Sequence, residues 1–318
     1  MKNKRVLPSF LVILLTSCSL NANPITSKIF CFDTYIEATL YEGKKDDLTA
    51  IESTFNTYDV LADNYHSRLN NNVYTINQTN EEIKIDEGLY KMLQKAFDIS
   101  TKGASNYNPL CGSLAEKWKD ALKNNVVLDD ETITSEVEKI KTSELLFLEN
   151  NTVQRIGQAE IDLGGIAKGY SLDLVKSYLK ENNINKYLIN AGSSSILLGE
   201  KNTKDGLFNV GFKDIPNTYI KVKNCVVSTS AISEQYVEID GVKYSHIIDP
   251  KTGKANHPYD GVIVITEDGA FGDALCTSMM MNTINQIKQI EIDYNVQAIV
   301  YKDNQITYKN DAIEVYYH

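Results

Sequence analysis

The chain has 318 residues, 42% of them hydrophobic, and a formal net charge of -10. A chain of this length can bury a sizeable core in one large domain or in two closely packed domains. The acidic balance argues against nucleic acid as a partner, because duplex binding needs clustered Lys and Arg and the sequence has no such cluster.

Residues 1–17 are predicted to be a lipoprotein signal peptide. Lys2, Lys4 and Arg5 precede a short apolar core at residues 10–15, which cannot span a bilayer. The stretch ends in Leu-Thr-Ser before Cys18, an order that resembles the bacterial lipobox. Cys18 is therefore expected to be the lipidated first residue of the mature chain. An ordinary secretory signal with a chance cysteine is the alternative.

Residues 18–28 are predicted to form a flexible tether, since they are mostly small or polar and contain Pro24. The folded domain is predicted to cover residues 29–318. Together with the lipidated cysteine, this organisation predicts an extracytoplasmic protein that a lipid anchors to a bacterial membrane, on the periplasmic side or at the cell surface.

The first half of the domain has both strand and helix patterns. Alternation over residues 29–41 predicts a strand, and apolar residues at helical spacing over residues 46–57 predict a helix after it. Residues 86–101 predict a second helix that Asp86 caps, followed by a loop at residues 103–109. The charged stretch 124–143 predicts a small peripheral helical insertion.

The second half is predicted to be rich in strands. From Leu145 the pattern predicts strand, turn and strand, then a glycine-rich segment and a helix that reaches Asn182. Further strands are predicted over residues 187–190, 196–198, 208–212, 219–222, 226–229, 236–239 and 262–266, with a helix over 273–282 and a strand pair around 302–304. Because helices and strands come in blocks, we predict an α+β fold with mixed, largely antiparallel sheets and packed helices.

The segment Asp162-Leu163-Gly164-Gly165 is predicted to leave a strand and enter a helix. Two glycines let the backbone approach a ligand, and a helix N-terminus offers free N–H groups, which suits phosphate oxygens. Lys168 could add a positive charge. The alternative is a glycine turn required by geometry alone. Neither GxGxxG nor GxxxxGK[ST] is present, which disfavours a dinucleotide dehydrogenase and an ordinary NTPase.

Asp273 and Thr277 are four residues apart at the start of a predicted helix, so their oxygens share one face. Such a pair can hold Mg²⁺, which accepts a few protein oxygens and completes its shell with water and substrate phosphates. As a ligand at a surface-lined site, Asp273 is expected to contribute little to core packing. The alternative is that Asp273 caps the helix and Thr277 packs.

His246 is predicted to stand at a strand end, in Tyr-Ser-His-Ile-Ile-Asp-Pro, where a histidine can act as a general base or bind phosphate. A buried histidine that bonds to backbone is the alternative, and His257 is a second candidate. After Cys18, the widely spaced Cys31, Cys111, Cys225 and Cys276 form neither a disulfide scaffold nor a zinc site, and their pairing stays open.

Four motifs follow one another along the chain: D-x-G-G-x-A-K-G-Y, S-T-S, Y-S-H-I-I-D-P-x-T-G and D-A-x-x-T. In this order they resemble the FAD:protein FMN transferase family, also called ApbE-type flavin transferases, from about Ile29 to the C-terminus. The resemblance implies an ApbE-like fold and an enzyme that cleaves FAD, attaches FMN by a phosphoester bond to Thr or Ser of an acceptor protein, and releases AMP. An FAD pyrophosphatase that gives FMN and AMP, and a non-catalytic FAD-binding lipoprotein, stay open as alternatives.

The resemblance also implies roles for individual residues. Mg²⁺ would be held by the backbone carbonyl of Gly165 with Asp273 and Thr277. His246 would be the catalytic base, and Asp249 would hold its loop. The implied FAD contacts are Asp162, Lys168 and Ile248, and more loosely Tyr58, Asn106, Tyr107 and Asn108. The implied partners are FAD, an acceptor flavoprotein subunit of a membrane redox complex, and the membrane that holds the lipid.

Two segments depart from the pattern of the family. Tyr107-Asn108-Pro109-Leu110 stands where the family usually has Phe-Asp-Pro-Thr, and Ala191-Gly192-Ser193-Ser194-Ser195-Ile196 stands where it usually has Gly-Gly-Asn-Ile. These departures affect the flavin contacts more than the metal site.

Overall fold

The computed structural model describes residues 23–68, 71–192 and 194–317. The predicted signal peptide and Cys18 lie outside the described residues, as does Ser193. The strands, in chain order, are β1 (Ile25–Cys31), β2 (Thr34–Leu40), β3 (Ile83–Lys84), β4 (Glu144–Leu148), β5 (Thr152–Ile156), β6 (Tyr187–Ala191), β7 (Ser195–Leu198), β8 (Phe208–Phe212), β9 (Ile215–Val222), β10 (Cys225–Ala231), β11 (Tyr236–Ile239), β12 (Val242–Ser245), β13 (Gly261–Thr266), β14 (Gln297–Lys302), β15 (Gln305–Lys309) and β16 (Val315–Tyr317).

The helices, in chain order, are α1 (Lys45–Ala62), α2 (Val73–Asn77), α3 (Glu87–Thr101), α4 (Gly112–Lys123), α5 (Asp130–Lys141), α6 (Ala167–Glu181), α7 (Gly269–Met279) and α8 (Ile284–Tyr294). A single 3₁₀ turn, Ile232–Glu234, precedes β11. Within the described residues, no helix combines the length and the apolar character that a membrane crossing requires.

The largest sheet within the described residues has eight strands, in the order β1-β2-β6-β7-β10-β13-β14-β15. Three smaller sheets have the orders β16-β9-β8, β3-β5-β4 and β11-β12. All pairs between the described strands are antiparallel. With the helices packed against these sheets, the predicted α+β class is confirmed.

The two faces of the main sheet are buried against different layers. Along β10, Val226 packs with the residues of α1 and α6, whereas its neighbour Val227 packs with β8 and β9. This follows from the alternation of side chains along a strand. The second face is left uncovered at the β1–β2 end, where Phe30 and Tyr35 are 63% and 56% exposed.

The start of the domain differs from the prediction in two ways. The predicted strand over residues 29–41 is a hairpin of β1 and β2, because Phe32 and Asp33 take positive φ values of 51° and 55° and reverse the chain. In addition, β1 begins at Ile25, which pairs with Leu40. Residues 25–28 therefore belong to the sheet and not to the predicted tether.

Three helices were not predicted: α2, α4 and α8. Helix α2 has only five residues, and α8 buries little more than Ile287 and Glu291, so neither gives a strong apolar period. The predicted insertion at residues 124–143 does contain a helix, α5. It is not peripheral, since Ile133 and Val137 pack onto the turn at Gly253.

Helices α6 and α7 meet backbone to backbone at Gly169 and Gly269. A Cβ atom on Gly169 would lie 2.1 Å from the carbonyl oxygen of Gly269, so no larger residue fits at this approach. Asp173 reinforces the contact, because its carboxylate accepts hydrogen bonds from the amides of Gly269 and Ala270 at 2.6 and 2.9 Å. Burial raises the pKa of Asp173 to about 6. The contact places the start of α6 beside the first turn of α7, and the amide of Gly169 then reaches Asp273 in the second turn.

Candidate active site

A cavity of about 240 Å³ lies where the start of α6, the helix α7 and the segment after β12 meet. Ten of the residues singled out from the sequence line it, and they come from four separate segments of the chain. These residues are Asn106, Tyr107, Asn108, Asp162, Gly165, Lys168, His246, Ile248, Asp273 and Thr277.

The glycine turn before α6 is built from a loop and not, as predicted, from the end of a strand. Strand β5 ends at Ile156, and the amide of Asp162 donates to the carbonyl of Pro109 at 2.8 Å. The carboxylate of Asp162 accepts from the amide of Gly164 at 2.6 Å. Burial raises the pKa of Asp162, and the hydrogen bond from Gly164 opposes that shift.

The N-terminus of α6 offers fewer free amides than predicted. The amides of Ile166 and Ala167 both donate to the carbonyl of Leu163, and the amide of Gly169 donates to Asp273. Lys168 is the second residue of the helix and its half-buried side chain lines the cavity. Positive charge for an anionic ligand therefore comes mainly from the ammonium group of Lys168.

Asp273 is the buried acid of the site. It lies in the second turn of α7 and not at its start, because Asp268 caps the helix by accepting from the amide of Phe271 at 2.9 Å. The carboxylate of Asp273 accepts from the hydroxyl of Ser195 and from the amide of Gly169 at 2.7 Å. With 6% exposure it is part of the packed interior, contrary to the expectation from the sequence.

The charge of Asp273 is costly in this position. Burial raises the pKa of its carboxyl group, and the nearby positive charge of Lys168 is the largest opposing influence. A cation next to the carboxylate would stabilise the ionised form in the same way.

Hydroxyl groups surround the cavity beside Asp273. The hydroxyl oxygens of Thr277 and Ser230 are 3.0 Å apart, and a Cβ atom on Gly165 would lie 4.0 Å from the hydroxyl oxygen of Thr277. No group of three His, Cys, Asp or Glu side chains within the described chain forms a metal cluster. Beside Gly165 the available side-chain oxygens are instead the carboxylate of Asp273 and the hydroxyls of Thr277 and Ser230, which are donors that suit a hard cation such as Mg²⁺.

Tyr107 brings an unpaired hydroxyl to the site. Its side chain is 7% exposed, and its Oη atom has no hydrogen-bond partner within the described residues. Burial raises the pKa of this phenol well above its ordinary value, so the hydroxyl stays protonated and can donate. The ring also packs against the glycine turn, 3.0 Å from where a Cβ atom on Gly165 would lie.

The neighbours of Tyr107 have structural partners. The side-chain oxygen of Asn106 accepts from Lys251 at 2.6 Å, and its amide nitrogen lies 3.2 Å from the side-chain oxygen of Asn282. Asn108 closes its own turn by accepting from the amide of Leu110 at 2.9 Å. Both asparagines line the cavity, but these bonds leave them less free to contact a ligand than Tyr107.

His246 directly follows β12, as predicted, and its side chain is 37% exposed. Its Nδ1 atom lies 3.3 Å from the carbonyl oxygen of Gln235, and its Nε2 atom lies 4.0 Å from a carboxylate oxygen of Glu234. When Nδ1 carries the proton and donates to Gln235, Nε2 is left as the proton acceptor. The imidazole is therefore accessible to solvent, and the carboxylate of Glu234 lies beside Nε2, the nitrogen that would take up a proton.

Asp249 does not line the cavity. Its carboxylate accepts from the amide of Lys251 at 2.9 Å and from the hydroxyl of Thr252 at 2.8 Å, which holds the turn after His246. It therefore acts as a positioning residue for the loop.

His257, the second histidine candidate, is not brought into the cavity either. Its Nε2 atom bonds to the carbonyl of Ile247 at 2.8 Å, and burial lowers its pKa. Both rings bond to a backbone carbonyl, but the alternative of a buried histidine fits His257 and not His246, whose side chain is 37% exposed.

Tyr58 is the predicted FAD contact that the fold keeps apart. It lies on α1 with its ring 5.3 Å from that of Tyr170, and it packs over the start of α3 at Gly88. Its position therefore gives no support to a role in binding FAD. The four described cysteines are unpaired, and burial raises the pKa of each thiol to about 12, so none supplies a thiolate near neutral pH.

A second, larger cleft of about 850 Å³ joins the cavity. It runs between the main sheet and β8, and Lys168 and His246 line both spaces. Three further residues at the site were not singled out: Ser195, Ser230 and Glu234. Ser230 belongs to the S-T-S motif and Ser195 to the segment that departs from the family pattern, but neither was given a role, and nothing local in the sequence marks Glu234.

The fold is that of known flavin transferases. The structure superposes on the ApbE protein of Thermotoga maritima with a TM-score of 0.76 at 24% identity, covering 92% of this chain and 96% of that one. It superposes on flavin transferase ApbE of Vibrio cholerae with a TM-score of 0.72 at 20% identity, covering 91% and 98%.

Residues 32–300 match the model of the ApbE family. The chain belongs to this family, which confirms the resemblance drawn from its motifs. The FAD:protein FMN transferase of Klebsiella pneumoniae (strain 342) is 26% identical over 275 residues, or 82% of this chain and 80% of that protein. The one of Treponema pallidum (strain Nichols) is 28% identical over 218 residues, or 62% and 60%, and the match to the Rhodobacter capsulatus protein covers only 43% of its length.

Replacing Tyr107 by Phe is expected to lower the affinity for FAD without lowering the free energy of unfolding. Without ligand, the variant should be as stable as the wild type or more stable, because it loses a buried hydroxyl that has no partner. FAD affinity should fall by roughly tenfold if a ligand atom pairs with this hydroxyl. Urea unfolding without ligand and calorimetric titration with FAD measure the two effects. Unchanged FAD affinity would show that the ligand does not use this hydroxyl.

Proposed function

We propose that this protein is a Mg²⁺-dependent FAD:protein FMN transferase that acts outside the cytoplasm. The observation that carries the proposal is the convergence of Lys168, His246 and Asp273 on one cavity, in a chain whose family relatives are named for this reaction. The three side chains supply a positive charge for phosphate, a proton acceptor and a carboxylate for a cation.

The cation would be held by the carboxylate of Asp273, the hydroxyl of Thr277 and the backbone carbonyl of Gly165. The donor set fits Mg²⁺, and the raised pKa of Asp273 marks a carboxylate that a cation would stabilise. When bound, Mg²⁺ would neutralise the negative charge on the diphosphate of FAD.

FAD is too large for the small cavity alone. The cavity has a volume of about 240 Å³, which lies below the roughly 300–1,000 Å³ of sites for drug-sized ligands. FAD must therefore extend into the adjoining cleft. Lys168 and His246 line both spaces, which favours a diphosphate at their junction with the two halves of FAD on either side.

His246 would act on the acceptor hydroxyl. The hydroxyl oxygen forms a bond to the phosphorus of the FMN half, its proton passes to Nε2 of His246, and the bond from that phosphorus to the oxygen of AMP breaks. The products are a phosphoester of FMN with the acceptor and AMP. The carboxylate of Glu234 would stabilise the imidazolium, and Lys168 would hold a phosphate oxygen.

A second candidate function is the hydrolysis of FAD to FMN and AMP. The observation that favours it is the 37% exposure of the His246 side chain, because water can then reach the proton acceptor. An acceptor segment that covers His246 would suppress this reaction.

Intact mass spectrometry of an acceptor flavoprotein domain tests the proposal. The domain is incubated with lipid-free protein, FAD and Mg²⁺, and AMP is measured in the same tube. The wild type should add the mass of FMN to the domain and release one AMP for each FMN transferred. Chelation of the cation should stop both, because the charge of the diphosphate is then not neutralised.

Asp273→Asn is the matched variant for this test. It keeps the volume of the side chain but removes the charge, so Mg²⁺ binding measured by calorimetry should be lost together with FMN transfer. Asp273→Ala is less suitable, because it leaves the amide of Gly169 and the hydroxyl of Ser195 without their partner. Wild-type AMP release without a modified domain would favour the hydrolase, and tight binding of FAD that stays intact would favour an FAD-binding lipoprotein.

His246→Ala and His257→Ala are expected to differ. The first should lower kcat by roughly 100-fold or more, the typical contribution of a general base, and change the Kd for FAD little. The second should mainly lower the free energy of unfolding, because His257 holds the carbonyl of Ile247. Single-turnover kinetics and urea unfolding measure both. A His246→Ala variant with wild-type kcat would refute its role as the base.

We also propose that Cys18 carries the lipid that holds the protein at the membrane, with the acceptor on the same side. The folded domain begins at Ile25, seven residues later, so it would stay within about 25 Å of the lipid. Replacing Cys18 by Ser should move the protein from the membrane fraction to the soluble extracytoplasmic fraction. Retention in the membrane fraction would refute the anchor.

A further inference from the structure

Strand β11 has an exposed edge that leads directly to His246. The hairpin of β11 and β12 turns at Asp240 and Gly241, which take φ values of 52° and 76°. Positive φ at both central residues is typical of a two-residue hairpin turn, whose flanking residues exchange backbone hydrogen bonds. Ile239 and Val242 are these flanking residues.

The register then fixes which backbone groups point outward. Hydrogen-bonded and non-hydrogen-bonded pairs alternate along an antiparallel ladder. The next hydrogen-bonded pair after Ile239 and Val242 is therefore Val237 with Tyr244 in β12. The amide of His246 donates to the carbonyl of Gln235 at 3.2 Å, two residues further along, which agrees with this phase. Tyr236 and Glu238 therefore direct their N–H and C=O groups away from β12.

These outward groups are available. The backbone groups of Tyr236 and Glu238 have no hydrogen-bond partner beyond the hairpin within the described part of the chain. Both residues are exposed, and Tyr236 retains 44% of its accessible surface. The far side of the hairpin differs, because the amide of Ser245 in β12 already donates to the carbonyl of Ala255 at 2.8 Å.

The exposed edge is continuous with the reactive group. Gln235 precedes β11, and its carbonyl oxygen contacts both the amide and the ring of His246. A strand that pairs with β11 and extends past Gln235 would run beside Glu234, whose carboxylate lies 4.0 Å from Nε2 of His246. Other exposed edges, such as that of β1, do not lead into residues that contact His246.

From this geometry we infer that the acceptor protein binds as an added strand on β11. The occupant is a short extended segment that carries the Ser or Thr hydroxyl, and backbone hydrogen bonds to Tyr236 and Glu238 hold it. The segment places its hydroxyl beside Nε2 of His246 and covers the imidazole from water. Because β11 has only four residues, it accepts a local loop or strand end and not a long strand. The inference rests on the proposed function.

Proline scanning of the hairpin tests the inference. Glu238→Pro removes one outward N–H group and leaves the bonds between β11 and β12 in place, since proline is tolerated at an outward position of an edge strand. The kcat/KM for the acceptor flavoprotein domain should fall by roughly tenfold, as expected when one hydrogen bond is lost and its partner is left unsatisfied. The Kd for FAD should stay at its wild-type value.

Two controls make the test specific. Lys243→Pro removes the outward N–H group from the opposite strand of the same hairpin and should leave kcat/KM within twofold of wild type. Glu238→Ala removes the charge but keeps the N–H group, and it should also transfer FMN at close to the wild-type rate.

Hydrogen exchange in the wild type gives a second readout that does not depend on variants. The amides of Tyr236 and Glu238 should exchange more slowly when the acceptor domain is present, since they become hydrogen-bonded. Wild-type kcat/KM in Glu238→Pro with unchanged exchange, or an equal loss in Lys243→Pro, would overturn the added strand while FMN transfer by the wild type stands. If the wild type modifies no acceptor at all, the proposed function fails and this inference fails with it.

Discussion

The buried carboxylate of Asp273 is the constraint on which the site depends. It belongs to α7, yet it accepts hydrogen bonds from Gly169 in α6 and from Ser195 in β7. Two helices and the main sheet are therefore joined at one negative charge. The joint requires the close approach of the helices at Gly169 and Gly269, where any side chain would collide with backbone. Lys168, one residue before Gly169, is placed beside the carboxylate by the same contact.

A site residue could be predicted from the sequence when its chemical type and its immediate neighbours in the chain indicate its role. Asp162, Lys168, His246 and Asp273 lie within short motifs, and the fold brings them to one cavity. Ser195 escaped prediction because its role comes from strand pairing. It lies opposite Ser228, 33 residues away in the chain, and only the register of β7 against β10 brings its hydroxyl to the carboxylate of Asp273. Glu234 is likewise placed by a 3₁₀ turn that has no clear sequence signal.

Strands were easier to predict than helices for a physical reason. Strands of the main sheet are buried on both faces, so they appear in the sequence as short continuous apolar runs, as at Val226 and Val227, which pack in different layers. Helix α4 was missed although Leu114, Trp118 and Leu122 are buried and recur at a helical spacing of four residues, so its apolar period was present in the sequence. For Tyr58, no pattern within α1 indicates that its ring packs on Tyr170.

The cost of burying Asp273 has a consequence for how long the protein survives. A ligand that neutralises this carboxylate and binds only the native chain must raise the free energy of unfolding by mass action, by about 2.7 kcal/mol at a free concentration of 100 times its Kd. Proteases cleave chains that open, so their access falls as the open population falls. The supply of cation and flavin would in this way set both the activity and the lifetime of the same molecule.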